Sequence, residues 1–117
     1  MALHVSHACF RGSYMEYNSW IEKLCEVAGY GPMYEWEEKK WPDVSTDPLI
    51  ILLSATPYPT KIEPAQCAEI MFRLKEILPS MARAERLPNA LPYSRITSSF
   101  IVGMRKAVSL NEPVTFK

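Results

Sequence analysis

The residues best suited to chemistry cluster at the N-terminus, where His4, His7 and Cys9 stand three and two positions apart. Neutral imidazole and thiolate are zinc ligands, and a cysteine paired with a histidine is one form of activated nucleophile. A tetrahedral metal site needs about four ligands, and no second cluster of such residues occurs along the chain. No metal and no cofactor are therefore expected, and the two histidines read better as structural or ligand-contacting groups. Cys25 lies beside one apolar helical stripe and Cys67 within another, which makes both core thiols and leaves Cys9 unassigned. The spacing sets no base beside a nucleophile in a recognisable pattern, so no catalytic residue is assigned. A small enzyme using His7 and Cys9 on a nucleotide or protein substrate stands as the alternative.

Two further groups could hold a small anion. Residues 54–61, Ser-Ala-Thr-Pro-Tyr-Pro-Thr-Lys, precede a predicted helix and offer Thr56, Tyr58, Thr60 and Lys61. Ligands gather at strand ends in open α/β sheets, and helix N-termini favour anions. Arg83, Arg86 and Arg95, with Tyr93 beside them, flank a proline-rich stretch; guanidinium forks suit phosphates and carboxylates. His7 joins this ligand-contacting set. A third group, Tyr34, Trp36 and Trp41, belongs to an aromatic segment suited to a protein partner, because Trp and Tyr are enriched at interface hot spots. Against each stands a plain alternative: a rigid connection, solvated arginines, or aromatics pinning a loop to the core.

Charge narrows the partners. Thirteen basic residues balance thirteen acidic ones over 117 residues, which argues against an extended nucleic-acid track. The balance is uneven along the chain. Residues 1–62 carry a net −3 and 63–81 a net −1. Residues 82–117 carry +4, from Arg83, Arg86, Arg95, Arg105, Lys106 and Lys117 against Glu85 and Glu112. A small anion therefore stays open. The 48% hydrophobic and 22% charged shares are those of an ordinary globular protein. No run approaches the roughly 18 apolar residues of a membrane helix, and no signal peptide is visible. Three widely spaced cysteines fit a reducing compartment, so a cytoplasmic protein with no membrane partner is expected.

The elements that must position these residues follow from periodicity. Ser13 followed by Glu16 forms a capping box, and Tyr17, Trp20, Ile21, Leu24, Val27 and Ala28 line one face of a helix over about 14–28, which Gly29 ends. Residues 3–5 suit a short strand, with Arg11 and Gly12 turning the chain into that helix. Residues 29–48 read as an irregular segment whose aromatics pin it down. Leu49 to Leu53, apolar throughout and bounded by Pro48 and Pro57, reads as a strand buried on both faces. A second helix runs from about residue 63 or 64 to 78 and stops at Pro79. Residues 80–92 form an ordered loop. A third helix covers about 94–110, with Gly103 at a close contact and Asn111 and Pro113 closing it. Residues 114–116 suit a last strand. The sum is one α/β domain over 1–117: a small two-layer or sandwich fold, about three helices around a short sheet of two or three strands with one central buried strand.

Four stretches carry a likeness. They are Val5-Ser6-His7-Ala8-Cys9-Phe10-Arg11-Gly12-Ser13-Tyr14, Asp47-Pro48-Leu49-Ile50-Ile51-Leu52-Leu53-Ser54, Cys67-Ala68-Glu69-Ile70 with Arg73-Leu74, and Phe100-Ile101-Val102-Gly103-Met104-Arg105-Lys106-Ala107 leading to Val114-Thr115-Phe116. In these the chain resembles a family of short uncharacterised proteins of bacteria, actinobacteria especially, and of their phages and prophages. That family carries an acidic His-Ser-Asp-Cys-Asp-Gly-Glu type of loop after the second stretch. Residues 54–61 here have neither acid nor histidine, so nothing that loop does in the family transfers.

The expectation is thus a non-catalytic binding protein of phage or prophage type. It would sequester an anionic nucleotide signal, in a possible homo-oligomer, or block a host immune protein through its aromatic segment. A plain regulatory or interaction domain is the remaining alternative.

Overall fold

A computed structural model describes residues 2–117. The N-terminal hairpin pairs β1 (Ala2–Val5) antiparallel with β2 (Phe10–Ser13), setting His4 opposite Arg11. Arg11 and Gly12 therefore belong to a strand, and the turn lies earlier, at residues 6–9. Helix α1 (Tyr14–Val27) starts on the expected capping box: Ser13 Oγ accepts the Glu16 amide at 3.0 Å, and the Glu16 carboxylate accepts the Ser13 amide at 3.3 Å. Gly29 follows its C-terminus at φ +96°, a conformation costly for any residue with a Cβ. Tyr17, Trp20, Ile21, Leu24 and Cys25 are buried on one face. Trp20 stacks on Phe100 with ring centroids 4.5 Å apart, and its indole N–H donates to Thr97 Oγ1 at 2.9 Å. The ring thus enters the core with its one polar atom satisfied.

Residues 29–48 hold a 3-10 turn (Met33–Glu37) and are pinned by their aromatics, as their composition predicts. Trp36 stacks on Trp41 at 4.5 Å, the Trp36 N–H donates to the Tyr30 carbonyl, and the Tyr30 hydroxyl donates to the buried Asp47 at 2.9 Å.

The expected central strand at residues 49–54 is instead the short helix α2 (Ile50–Leu53). Asp47 decides this. Its carboxylate accepts the Leu49 amide at 3.0 Å and its carbonyl the Ile50 amide at 3.1 Å, so the chain turns where a strand would extend. Pro48 fits that turn, because it lies ahead of the helix, where its missing amide forfeits no intrahelical bond. Leu49, Ile50, Leu52 and Leu53 are buried and Ile51 partly so, and a short apolar helix in the core has the same sequence pattern as a buried strand.

Strand β3 (Lys61–Ile62) leads into α3 (Pro64–Ala84), which opens on Pro64 with a Glu63–Gln66 capping box. Pro79 does not stop this helix. An interior proline costs about 3 kcal/mol, but Ile77 and Met81 on either side of it are buried in the core. Packing of α3 against α4 (Tyr93–Leu110) outweighs the break. Residues 80–84 are therefore helical, and the connection shortens to 85–92. Helix α4 ends at Asn111, which takes the left-handed conformation at φ 53°.

Strand β4 (Val114–Thr115) pairs antiparallel with β3, Lys61 opposite Thr115. The C-terminus also joins the hairpin: His4 and Lys117 exchange two backbone bonds of 2.8 Å, and Val5 bridges Phe116. Residues 114–117 thus run between β1 and β3 and hold the central position expected of residues 49–54. Among the described residues the fold is mixed α/β, with four α-helices and two small antiparallel two-stranded sheets. No helix among the described residues is long and apolar enough to cross a membrane.

Candidate functional site

The hairpin turn and the start of α4 enclose an open cleft of about 590 Å³. Its polar lining comes from His4, Ser6 and His7 at the hairpin tip, Arg11 and Glu16 beside it, and Arg95 and Ser99 on α4. Arg11 and Arg95 are exposed and form no ion pair among the described residues. Glu16, the one acid on the wall, is held in the α1 capping box. The lining thus carries two cations against one carboxylate, and neither guanidinium group has a carboxylate partner among the described residues.

The turn at the tip is unusual. The Cys9 amide donates to the Ser6 carbonyl at 3.1 Å, and His7 and Ala8 between them lie at φ 60° and 59°. Two successive left-handed residues make a type I′ turn, a site that normally carries Asn-Gly. Without glycine each such residue costs about 1–2 kcal/mol. The His7 ring is held at both ends, by Ser6 Oγ at Nδ1 and Glu112 Oε1 at Nε2, each at 2.8 Å. Cys9, next in the chain, is fully buried against Gly103 of α4. Burial, with a smaller effect of Cys67, pushes its thiol up to about 12. Cys9 is a packing residue, shut off from any substrate.

Of the residues proposed from sequence for ligand contact, His7 and Arg95 meet in this cleft. The others lie elsewhere. Thr56 lines a groove with Tyr34, Trp36 and Trp41. Tyr58 stacks on Phe116 at 5.9 Å, and Thr60 gives its carbonyl to the Phe116 amide. Lys61 pairs with Glu63 at 3.1 Å. Arg83 sits in the last turn of α3 and donates to Ser80 Oγ, while Arg86 is exposed in the connection that follows. Tyr93 opens α4 with the Lys23 ammonium 5.9 Å from its ring centre. In the aromatic group Trp36 and Trp41 use their faces on each other, and Tyr34 alone is turned outward, 71% exposed.

Ser6, Arg11 and Glu112 escaped the sequence reading. Arg11 had a legible signal, because alternation in residues 2–5 sets His4, already a candidate, on the outer face and a hairpin sets Arg11 opposite it. Glu112 had none, being 105 positions from His7. Among the described residues no three His, Cys, Asp or Glu side chains converge closely enough to hold a metal ion.

Comparison with protein-family models, with curated proteins and with solved structures gave no match.

Proposed function

We propose that this chain is a binding protein for a small anionic ligand, held in the cleft between the hairpin tip and α4. The observation that carries the reading is the pair of unpaired arginines, Arg11 and Arg95, on facing elements of one concave surface. His4 adds a donor, and the Ser99 hydroxyl can bond phosphate or carboxylate oxygens. A phosphate-bearing nucleotide fits this chemistry, and its capture would be the role of a phage-type sequestering protein. That context rests on the four sequence stretches. Blockade of a host protein through the aromatic segment has less support, because the two tryptophans are occupied with each other.

Calorimetry tests the reading with inorganic phosphate, succinate, ADP-ribose and a panel of cyclic dinucleotides. At least one should bind, with affinity that falls as salt rises and drops tenfold or more in Arg11→Ala and in Arg95→Ala. No heat from any of them overturns the reading.

A further inference from the structure

Three side chains at the hairpin tip form a hydrogen-bonded line that anion binding does not require. Ser6 Oγ lies 2.8 Å from His7 Nδ1, and His7 Nε2 lies 2.8 Å from Glu112 Oε1. A carboxylate can only accept, so Nε2 carries the proton when the ring is neutral, and Nδ1 is left with its lone pair. The Ser6 hydroxyl then donates to Nδ1. The Thr115 amide donates to Ser6 Oγ at 2.9 Å and takes up one lone pair. The other is free. Ser6 and His7 both line the cleft, and Glu112 supports the ring from the end of α4. This is the arrangement of nucleophile, base and orienting acid that activates a serine.

We infer that Ser6 is a nucleophile with His7 as its general base and Glu112 as the residue that positions the ring, acting on a carboxylic ester that carries an anionic group. The inference rests on the anion-binding reading of the cleft and adds to capture a covalent step. The choice of ester follows from the surroundings of Ser6. Transfer of a phosphoryl group calls for cations on the group being transferred, and the hydrogen-bond partners of Ser6 Oγ are an imidazole and an amide. The arginines line the wall of the cleft, where a charge elsewhere on the substrate would lie. The amides of His7 and Ala8, within the same turn, have no acceptor among the described residues. They are unengaged donors for the oxyanion of a tetrahedral intermediate.

In the first step Ser6 Oγ bonds to the ester carbonyl carbon while its proton passes to His7 Nδ1. The bond from that carbon to the alkoxy oxygen breaks, and the departing oxygen takes the proton from His7. Water then attacks the acyl-serine and gives its proton to His7, which returns it to Ser6 Oγ as the carboxylic acid leaves. Ester and water become acid and alcohol, with the serine restored.

A fluorophosphonate probe followed by intact-mass measurement tests the nucleophile. One adduct per chain, mapped to Ser6 and absent in Ser6→Ala, is expected. Glu112→Gln should slow labelling at least tenfold, and the conservative Glu112→Asp should recover most of the loss. Glu112 is 55% exposed, so its replacement leaves folding intact. The 4-nitrophenyl ester of succinic acid should be hydrolysed with kcat/KM at least tenfold above that of 4-nitrophenyl acetate, and Arg95→Ala should erase the difference. An unlabelled Ser6 in protein that binds phosphate or succinate overturns the nucleophile and leaves the anion cleft standing. An unlabelled Ser6 in protein that binds none of the panel, from phosphate and succinate to ADP-ribose and the cyclic dinucleotides, overturns both.

Discussion

Gly103 of α4 lies against the backbone of Cys9 at the hairpin tip, so close that a Cβ on Gly103 would stand 2.8 Å from the Cys9 Cα and 2.9 Å from its amide nitrogen. The missing side chain lets the helix seat the turn that carries Ser6 and His7. Stability and site geometry therefore meet at one contact.

Gly103→Ala tests that contact by the sign of its effect. In an unobstructed helix interior, alanine for glycine stabilises by about 1 kcal/mol. Here the obstructing atoms include backbone that cannot swing aside, and overpacking of this kind costs about 1–3 kcal/mol or more. Urea denaturation should show a lowered midpoint, and binding to the cleft should weaken with it. A raised midpoint would mean that the contact is loose.

All three cysteines are buried, and burial pushes Cys9 up to about 12, Cys25 up to about 11, and Cys67 upward as well. At pH 8 the native protein should leave an aromatic disulfide reagent unreacted, and three thiols should titrate once it is unfolded. The same shifts set an alkaline limit. A thiol raised above its ordinary value of 9.0 stabilises the fold fully below that pH, and the contribution drains away as pH rises toward about 12. Denaturation midpoints should fall from about pH 9 upward, and less so in Cys9→Ala relative to its own value at pH 7.

The start of α4 depends on an acid from outside the helix. No side chain at Pro92 caps it; the Glu85 carboxylate instead accepts the Ser94 amide at 3.0 Å and the Ser94 hydroxyl at 2.7 Å. These two bonds, the hydroxyl's first, hold the Glu85 carboxyl below its ordinary value of 4.5. A depressed acid stabilises above its unfolded value, and the contribution is lost as pH falls through the lower folded one. The protection factor of the Ser94 amide should fall selectively on acidification below about pH 4.5, and Glu85→Ala should show the same low protection already at pH 7. Because Arg95 follows Ser94, the variant should also bind anions more weakly.

How far the fold was legible tracks how local its causes are. Helix α1 was readable end to end: cap, stripe and terminating glycine lie within residues 13–29. Gly103 was readable as a close contact because glycine in a helix interior is otherwise disfavoured. The identity of its partner was not. Residues 49–53 failed because five apolar residues in a row carry no period, and the deciding bonds come from Asp47, whose carboxylate also binds Tyr30 and lies 3.4 Å from Arg73 Nε. Pro79 failed because a local penalty of about 3 kcal/mol was weighed without the α4 surface that offsets it.

The sequence by itself determined the mixed α/β character, the long helices and their buried faces, and the concentration of basic charge in the last third. Each follows from spacing or counting along the chain. Only the tertiary structure decided which strand is central, that Cys9 is sealed behind Gly103, and that Arg11 meets Arg95 across a cleft. It alone brought Glu112 to His7 over 105 positions. The physical reason is common to all four. Backbone pairing, close packing and a carboxylate's grip on an imidazole act over about 3–4 Å in space, and neighbours at that range are set by how the helices pack and where the C-terminal strand inserts.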